Sequence, residues 1–300
     1  MNINYEYYRC FYYVAKYRNL TRAAEAMLSS QPNVTRAMNA LEQALGCRLL
    51  SRSNRGVALT PEGERLYSHV CIAQQQLQEG EAELAAGKDL RGGVVTVGAS
   101  ETALHGLLLP VLRRFQLDYP GVRIRISNHS TPQAVAALRS GQVELAVVTT
   151  PTGVRHPLEE ARLVDYREIL IAGPRFASLA GETIALAQLA DYPLICLGRE
   201  TKTYEFYQQL FARHGLALQP DVEAATADQI LPLVCSDLGL GFLPERFAAG
   251  ALERGEVFAV ALAEPIPERS ICLVTDKNRP LGRAAQTLER RLRAAARRKS

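Results

Sequence analysis

The fold of the N-terminal part is decided by the stretch Asn19–Leu59, NLTRAAEAMLSSQPNVTRAMNALEQALGCRLLSRSNRGVAL. It opens with a short helical pattern that Thr21 is expected to cap, since threonine is a good N-cap residue. The inward face of this helix is formed by Ala23, Ala24 and Met27. Small alanines allow the close approach of two helices that a helix-turn-helix requires.

A third helix is predicted after the break at residues 28–30. Ser30 is expected to cap it, and Pro32 is tolerated because it falls in the first helical turn. The helix buries one apolar stripe and should end at Gly46, a residue suited to a helix C-terminus. The stripe consists of Val34, Met38, Leu41 and Leu45. Upstream, apolar residues at helical spacing predict a first helix over residues 5–17.

The outer face of the third helix carries amide, hydroxyl and guanidinium groups, with no carboxylate before Glu42. These groups can donate to and accept from base edges and phosphates, which is typical of a recognition helix. The alternative is a polar face that only meets solvent. The residues of this face are Gln31, Asn33, Thr35, Arg36 and Asn39.

Residues 49–59 contain two short apolar runs on either side of a basic tip, a pattern that predicts a β-hairpin wing. Arg52 and Arg55 are expected to lie along the phosphate backbone of DNA, where they supply salt-dependent affinity. Residues 1–60 as a whole hold eight Lys/Arg against three Glu, whereas residues 61–90 hold two against six acidic residues. The basic excess thus coincides with the predicted DNA-binding module.

An ordered set of residues runs through this segment: Phe11, Ala23-Ala24, Ser30-Gln31-Pro32-Asn33-Val34-Thr35, Leu41-Glu42, Leu45-Gly46, Leu49-Leu50, Arg52 and Leu59-Thr60-Pro61-Glu62-Gly63. The set resembles the winged helix-turn-helix of LysR-type transcriptional regulators. Met27, Thr35 and Leu50 depart mildly from the family pattern. The resemblance implies binding of double-stranded promoter DNA, response to a small-molecule effector, and RNA polymerase as a further partner. The DNA-binding residues that we expect are Thr21, Ser30, Gln31, Pro32, Asn33, Thr35, Arg36, Asn39, Arg52, Asn54 and Arg55.

A long linker helix is predicted to begin at Thr60-Pro61-Glu62, which combines an N-cap, a proline and an acidic residue. Apolar residues along it form a heptad seam, interrupted at Gly80. We interpret this seam as a dimerisation surface, the alternative being packing on the downstream domain. The seam residues are Leu66, Val70, Ala73, Leu77 and Leu84. The resemblance implies a dimer that assembles further into a tetramer.

From Gly92 onward, strand and helix patterns alternate, which predicts an open α/β sheet. The predicted strands are Val94–Gly98, Val122–Ser127, Val143–Val148, Glu168–Ala172, Pro193–Leu197, Val222–Ala224, Leu240–Leu243 and Ser270–Thr275. The predicted helices are Leu104–Asp118, Pro132–Ser140, Tyr204–His214, Asp228–Ser236 and one from Leu281. The resemblance implies two lobes, the second inserted into the first, as in periplasmic solute-binding proteins.

The expected architecture is therefore multi-domain, and mostly α-helical only in its N-terminal part. A winged helix-turn-helix spans residues 3–60, the linker helix 61–90, and the two-lobed α/β domain 92–300. Lobe I covers about 92–163 and 267–300, and lobe II about 164–266, with the chain crossing near Leu163–Tyr166 and Glu264–Glu268.

The strand ends of this α/β domain carry mostly hydroxyl-bearing residues, with two cations nearby. Ligands of open α/β sheets bind at the carboxyl ends of strands, where helix N-termini offer free amides. A small organic anion is the effector that this pattern favours, although Ser and Thr at such positions also serve simply as helix caps. The effector-binding residues that we expect are Ser100, Glu101, Thr102, Ser130, Thr131, Thr149, Thr150, Arg199, Thr201, Lys202 and Thr226.

The composition, 47% hydrophobic and 22% charged, excludes a disordered chain, and no apolar run reaches the length of a membrane span. We expect a cytoplasmic protein without contact to membranes. No catalytic, phosphate-loop or zinc motif is present, so neither an enzyme nor a metal or cofactor is expected. Three alternatives stay open: a redox-responsive regulator using Cys196 and Cys235, a cytoplasmic small-molecule-binding protein, and an enzyme with a DNA-binding appendage.

Overall fold

The computed structural model describes residues 3–53, 56–86 and 92–297. The chain divides into two compact units, Met1–Ala85 and Ala86–Ser300. The N-terminal unit contains, in order, α1 (Tyr5–Tyr17), α2 (Leu20–Ala26), α3 (Gln31–Leu45), β1 (Leu50–Ser53), β2 (Gly56–Leu59) and α4 (Pro61–Ala86). Strands β1 and β2 pair antiparallel as the predicted hairpin.

The first three helices pack around one apolar core because each of them presents small or apolar residues at helical spacing. Phe11 of α1 is fully buried, and so is Ala23 of α2. Met38 and Leu41 of α3 complete this core, and Leu49 seals it from the side of the hairpin. The third helix thus has one face anchored and the opposite face outward.

The start of α2 differs from the sequence prediction, which assigned the cap to Thr21. The cap is Asn19, whose Oδ1 accepts a hydrogen bond from the backbone N–H of Arg22 at 3.0 Å. Asparagine is at least as good an N-cap as threonine, and Leu20 therefore joins the helix. Ser30 occupies the N-cap position of α3, but its hydroxyl makes no capping bond. The first amides of α3 bond instead to the Ser30 carbonyl, Asn33 N at 3.1 Å and Val34 N at 3.2 Å.

Helix α4 begins as predicted, with Thr60 Oγ1 accepting from the N–H of Gly63 at 3.0 Å. The first half of the heptad seam does not fit the interpretation of the whole seam as a dimerisation surface. Val70 is buried in the N-terminal core, and Leu66 packs against the same cluster. This part of the seam is therefore occupied within the chain.

The C-terminal half of the seam differs in its surroundings. Ala73 is exposed and Leu77 is 48% exposed. The side chain of Leu84 lies outside the described residues.

The second unit begins with the elements of lobe I: β3 (Val94–Ala99), α5 (Glu101–Ala103), α6 (Leu109–Asp118), β4 (Arg123–Asn128), α7 (Thr131–Ser140), β5 (Leu145–Thr149) and β6 (Leu158–Tyr166). A π-helical turn at Leu104–Leu108 joins α5 to α6. Lobe II follows with β7 (Glu168–Ala172), β8 (Thr183–Ile184), β9 (Leu194–Leu197), α8 (Lys202–Arg213), β10 (Val222–Ala224), α9 (Ile230–Cys235), β11 (Leu240–Pro244), α10 (Glu245–Glu253) and β12 (Phe258–Leu262). The chain then returns to lobe I through β13 (Arg269–Asp276) and α11 (Arg283–Ala296).

Two separate sheets confirm the insertion of lobe II into lobe I. The five-stranded sheet has the order β4-β3-β5-β13-β6, and the six-stranded sheet the order β10-β9-β11-β7-β12-β8. Within the first sheet, β13 pairs antiparallel with both β5 and β6. The C-terminal strand therefore closes lobe I after the excursion through lobe II.

The first crossing between the sheets lies at the end of the predicted range Leu163–Tyr166. Strand β6 stays paired with β13 as far as Tyr166, and β7 begins at Glu168. The boundary expected at residue 163 therefore falls inside a strand. Four of the nine residues of β6 are charged, in the sequence LEEARLVDY, and the strand lies at the edge of its sheet. Such a strand lacks the continuous apolar run that predicts a buried strand.

The Glu42 carboxylate fastens the C-terminal part of α3 to the residues that enter the hairpin. Its Oε1 accepts hydrogen bonds from Leu49 N at 2.7 Å and Leu50 N at 3.0 Å. Its Oε2 accepts from Arg48 Nη1 at 2.8 Å. Burial raises the pKa of Glu42, but the two amides and Arg48 outweigh burial, and the net pKa is lowered.

Replacing Glu42 with glutamine should destabilise this junction by about 1–3 kcal/mol at neutral pH, because a buried charge-assisted network is broken. Since folding lowers the pKa of Glu42, its contribution is fully present above the unfolded glutamate pKa of about 4.3 and is lost at lower pH. Hydrogen exchange of peptides from residues 34–53 measures the effect. Glu25→Gln, at an exposed carboxylate of α2, is the control; an equal change there would contradict the assignment.

Candidate functional site

The outward face of α3 presents most of the predicted DNA-binding residues to solvent. The exposed residues on α3 are Gln31, Pro32, Asn33, Arg36 and Asn39. Thr21 of α2 and Ser30 of the turn are also exposed, whereas Thr35 is half-buried. Among the described residues, no carboxylate forms an ion pair with Arg36, so its guanidinium can bond to a guanine edge or a phosphate.

The hairpin that follows α3 supplies the second part of this surface. Its register pairs Arg52 with Val57 and Ser53 with Gly56. Arg52 therefore lies in β1, close to the tip. Asn54 and Arg55, two of the predicted DNA-binding residues, lie outside the described residues, as does the side chain of Arg52.

In lobe I, the start of α5 holds three of the predicted effector residues. Ser100 Oγ accepts from the N–H of Ala103 at 3.4 Å. Glu101 is held by two partners, accepting from Asn128 Nδ2 at 2.8 Å and lying 2.9 Å from His105 Nε2. The Glu101 carboxylate is thus already partnered, and its helix α5 packs against the lobe II turn Ala227–Gln229.

Two further predicted residues of lobe I, Thr131 and Thr149, are buried and joined to each other. Thr131 Oγ1 donates to the carbonyl of Thr149 at 3.3 Å. Thr149 Oγ1 accepts from Arg269 Nη2 at 3.1 Å, and the Thr150 carbonyl accepts from Arg269 Nε at 2.9 Å. Ser130 precedes them at the start of α7, where its N–H donates to Gln133 Oε1 at 2.9 Å.

In lobe II, the start of α8 holds Thr201 and Lys202. Thr201 is buried and caps the helix, accepting from Tyr204 N at 3.1 Å. Lys202 forms an ion pair with Glu205 and is 26% exposed. The Lys202 side chain lies beside Gly153 of lobe I, because a Cβ built on this glycine would be 3.5 Å from Lys202 Cε. Lys202 therefore extends from lobe II to lobe I.

The two remaining predicted residues have different surroundings. Arg199 is 74% exposed and pairs with Glu223, 3.4 Å from Nε to Oε1. Its charge is directed along the surface of lobe II to a neighbouring strand. Thr226 precedes the turn Ala227–Gln229, with its N–H 3.4 Å from Gln229 Oε1. Arg199 is therefore the weakest member of the predicted effector set.

Sequence reasoning missed the residue that connects these groups, Arg269. It is 2% exposed and makes hydrogen bonds to both lobes. It also missed Glu168, whose Oε1 lies 2.7 Å from Arg269 Nη1, and Tyr207, whose hydroxyl donates to Glu168 Oε2 at 2.6 Å. The available signal was a charged residue at the first position of each of the strands β7 and β13, directly before an apolar run or one residue ahead of it.

The cysteines for which a pKa shift is found are poor redox groups. Burial raises the pKa of both Cys196 and Cys272 to about 12, and it also raises the pKa of Cys235. All six cysteines are free thiols. Because the thiolate is the reactive form, a raised pKa makes these thiols unreactive near neutral pH.

Known protein families match both units. A family model described as the LysR substrate binding domain matches residues 88–297. A second, described as the bacterial regulatory helix-turn-helix protein of the lysR family, matches residues 5–64. The chain belongs to the LysR family. It is thus a LysR-type transcriptional regulator with a DNA-binding helix-turn-helix and an effector-binding domain.

Relatives of this LysR-family chain match it over most of their length. The HTH-type transcriptional regulator TtuA of Agrobacterium vitis is 29% identical over 245 residues, covering 80% of this chain and 79% of the relative. A probable RuBisCO transcriptional regulator of Guillardia theta is 25% identical over 284 residues, covering 93% and 92%. Both are transcriptional regulators by name.

Solved structures share the fold. Full-length CbnR in complex with its target DNA has a TM-score of 0.73 at 20% identity, covering 99% of this chain and all of that one (100%). The OxyR C206 mutant of Corynebacterium glutamicum has a TM-score of 0.60 at 22% identity, covering 100% of this chain and 93% of that one.

None of the helices in the described ranges is long and apolar enough to span a membrane.

Replacing Arg36 with alanine should weaken binding to a specific DNA site by about tenfold to 100-fold, because one good base contact contributes about 1–3 kcal/mol. The fold should be unaffected, since the side chain is exposed. Fluorescence anisotropy with a labelled duplex measures the affinity. Arg65→Ala removes the same charge from a side chain that is 76% exposed and paired with Glu62; the prediction fails if both variants lose affinity equally.

Proposed function

We propose that this LysR-family protein acts as a dimer that reads two half-sites of a promoter and responds to a small organic anion bound between its lobes. The observation that carries the DNA part is the exposed, carboxylate-free face of α3, with Arg36 free of ion pairs within the described chain. In a symmetric dimer, two such helices enter successive major grooves about 34 Å apart. The expected site is therefore an interrupted inverted repeat.

The proposed dimer uses the part of α4 that the N-terminal core leaves uncovered. Leu66 and Val70 are engaged within their own unit, so the partner contact falls to the later positions of the seam, Ala73 and Leu77. Leu77 is a large apolar side chain at 48% exposure, which burial against a second copy of α4 would stabilise. Assembly into a tetramer and contact with RNA polymerase enter the proposal through family membership alone.

The proposed effector is a small organic anion because two helix N-termini and one lysine converge at the cleft. Helices α7 and α8 both begin at strand ends, and their amides favour negative charge. Lys202 adds a cation that is only partly screened by Glu205. The half-buried hydroxyl-bearing residues Ser100, Thr102 and Ser130 are suited to fixing the orientation of the anion.

The redox-responsive alternative has less support. The OxyR structures share the fold at 22–23% identity, which does not transfer a chemistry. The raised pKa values of Cys196, Cys235 and Cys272 disfavour thiolate chemistry. The other two alternatives, a binding protein or an enzyme with a DNA-binding appendage, have no support from the named relatives, which are transcriptional regulators.

Gel-shift titration with promoter DNA tests the DNA part, and Leu77→Glu tests the dimer. Placing a charge on the seam should shift the protein to a lower mass in light scattering. Affinity for a duplex with two half-sites should fall about 100-fold, because the second contact is no longer intramolecular. Gln78→Glu adds the same charge at the neighbouring exposed position and should change neither quantity; an unchanged mass for the Leu77 variant would refute the seam.

Lys202 and Arg199 give a matched test of the effector site, since both are cations near the start of α8. Lys202→Ala should weaken the binding of a carboxylate about tenfold or more, the usual loss for a hydrogen bond to a charged group. Arg199→Ala should leave it unchanged. Thermal-shift titration with a panel of small mono- and dicarboxylic acids measures both. Equal losses in the two variants, or a loss only for Arg199, would contradict the proposed site.

A further inference from the structure

The two segments that connect the lobes carry two ion pairs of opposite polarity at adjacent positions. Arg167 on the first segment pairs with Glu268 on the second, 3.1 Å from Nε to Oε1. One residue further on each segment, Glu168 pairs with Arg269, 2.7 Å from Oε1 to Nη1. The first pair is 75% and 59% exposed, whereas each member of the second pair is 2% exposed.

The buried pair does more than join the two segments to each other. The guanidinium of Arg269 donates to Thr149 Oγ1 and to the Thr150 carbonyl, both at the end of β5 in lobe I. The same Nη2 donates to Thr203 Oγ1 at 3.1 Å, in the first turn of α8 in lobe II. One side chain therefore contacts the cleft-facing ends of elements from both lobes.

The surroundings of Arg269 restrict its guanidinium to this position. The aromatic ring of Phe206 lies 4.9 Å from the guanidinium carbon and that of Tyr166 at 5.7 Å. On the other side of the ion pair, Tyr207 donates to the free oxygen of Glu168 at 2.6 Å. The Tyr207 ring is stacked on Phe242 of β11, 4.5 Å between centroids. The carboxylate that holds Arg269 is thus itself fixed by the core of lobe II.

We propose that Arg269 is the positioning residue that fixes the spacing of the two lobes at the cleft. Through Thr149 and Thr203, it sets the distance between the end of β5 and the start of α8, where Lys202 lies. A ligand that displaces one of these two ends acts on the other through the same guanidinium. The inference concerns the ligand-free chain and stands whether or not the effector is an anion.

The test uses hydrogen exchange of the full-length protein without ligand. Arg269→Met should increase the exchange rate at least fivefold in peptides from both ends of the clamp, residues 145–151 in lobe I and 201–207 in lobe II. Arg269→Lys should restore part of the protection, because an ammonium still pairs with Glu168 but cannot reach all four acceptors. Arg167→Met, at the exposed pair on the same two segments, is the matched control and should leave both peptides unchanged.

A second variant separates lobe positioning from simple loss of stability. Removing one member of a buried ion pair leaves an uncompensated charge, whereas replacing both members with apolar residues is often neutral for stability. Arg269→Met combined with Glu168→Leu should therefore regain the melting temperature of the wild type and still exchange at least fivefold faster in both peptides. Restored protection in this double variant would overturn the proposal, as would equal effects of Arg167→Met and Arg269→Met.

Discussion

The buried ion pair between Arg269 and Glu168 is the constraint on which the regulatory unit depends. A charge that is 2% exposed must be paired and fully hydrogen-bonded, or the fold loses several kcal/mol. Here the two charges stand at the first positions of β13 and β7, where the chain enters each sheet. The pair is satisfied only when both sheets are formed and face each other at this point.

The predicted effector residues that carry a charge also have partners. Lys202 has Glu205, Arg199 has Glu223, and Glu101 has Asn128 and His105. A ligand entering between the lobes therefore meets ionic groups that already have partners. The binding free energy of the proposed anion then comes from exchanging the partner of Lys202 and from hydroxyl and amide groups that fix its orientation.

Sequence patterns predicted the element order well wherever burial was periodic. Helices α1 and α3, the start of α4 and strands β7 and β10 were anticipated almost to the residue, and the family motif implied the inserted second lobe. The patterns failed where a tertiary partner decides the outcome. Thr21 and Asn19 both satisfy a cap rule, and the structure places the cap at Asn19, with Leu20 of the first turn packed against the core. The sequence of α4 reveals a heptad period, but it does not reveal whether the apolar residues pack within the chain or against a partner. Leu66 and Val70, which pack within the chain, were therefore assigned to the dimer contact.

For the candidate site, too, local patterns were predictable and long-range partners were not. Hydroxyl-bearing residues at strand ends were found because the α/β pattern locates those ends, and Thr131 and Thr149 indeed lie together. Arg269 could not be found in this way, because it is more than 100 residues from Glu168 in the chain and its role depends on where β13 returns. Long-range charge pairing leaves no periodic signal.

The Glu42 carboxylate has a consequence for how DNA is read. Because it holds both Leu49 and Leu50 by their backbone amides, the wing and the recognition helix form one preorganised body. Little conformational entropy is then lost when the two elements dock on DNA together. The position of the helix in the groove also fixes the position of the wing. In the proposed DNA complex, base pairs that narrow or bend the duplex would act on this body as a whole, beyond the bases that α3 touches.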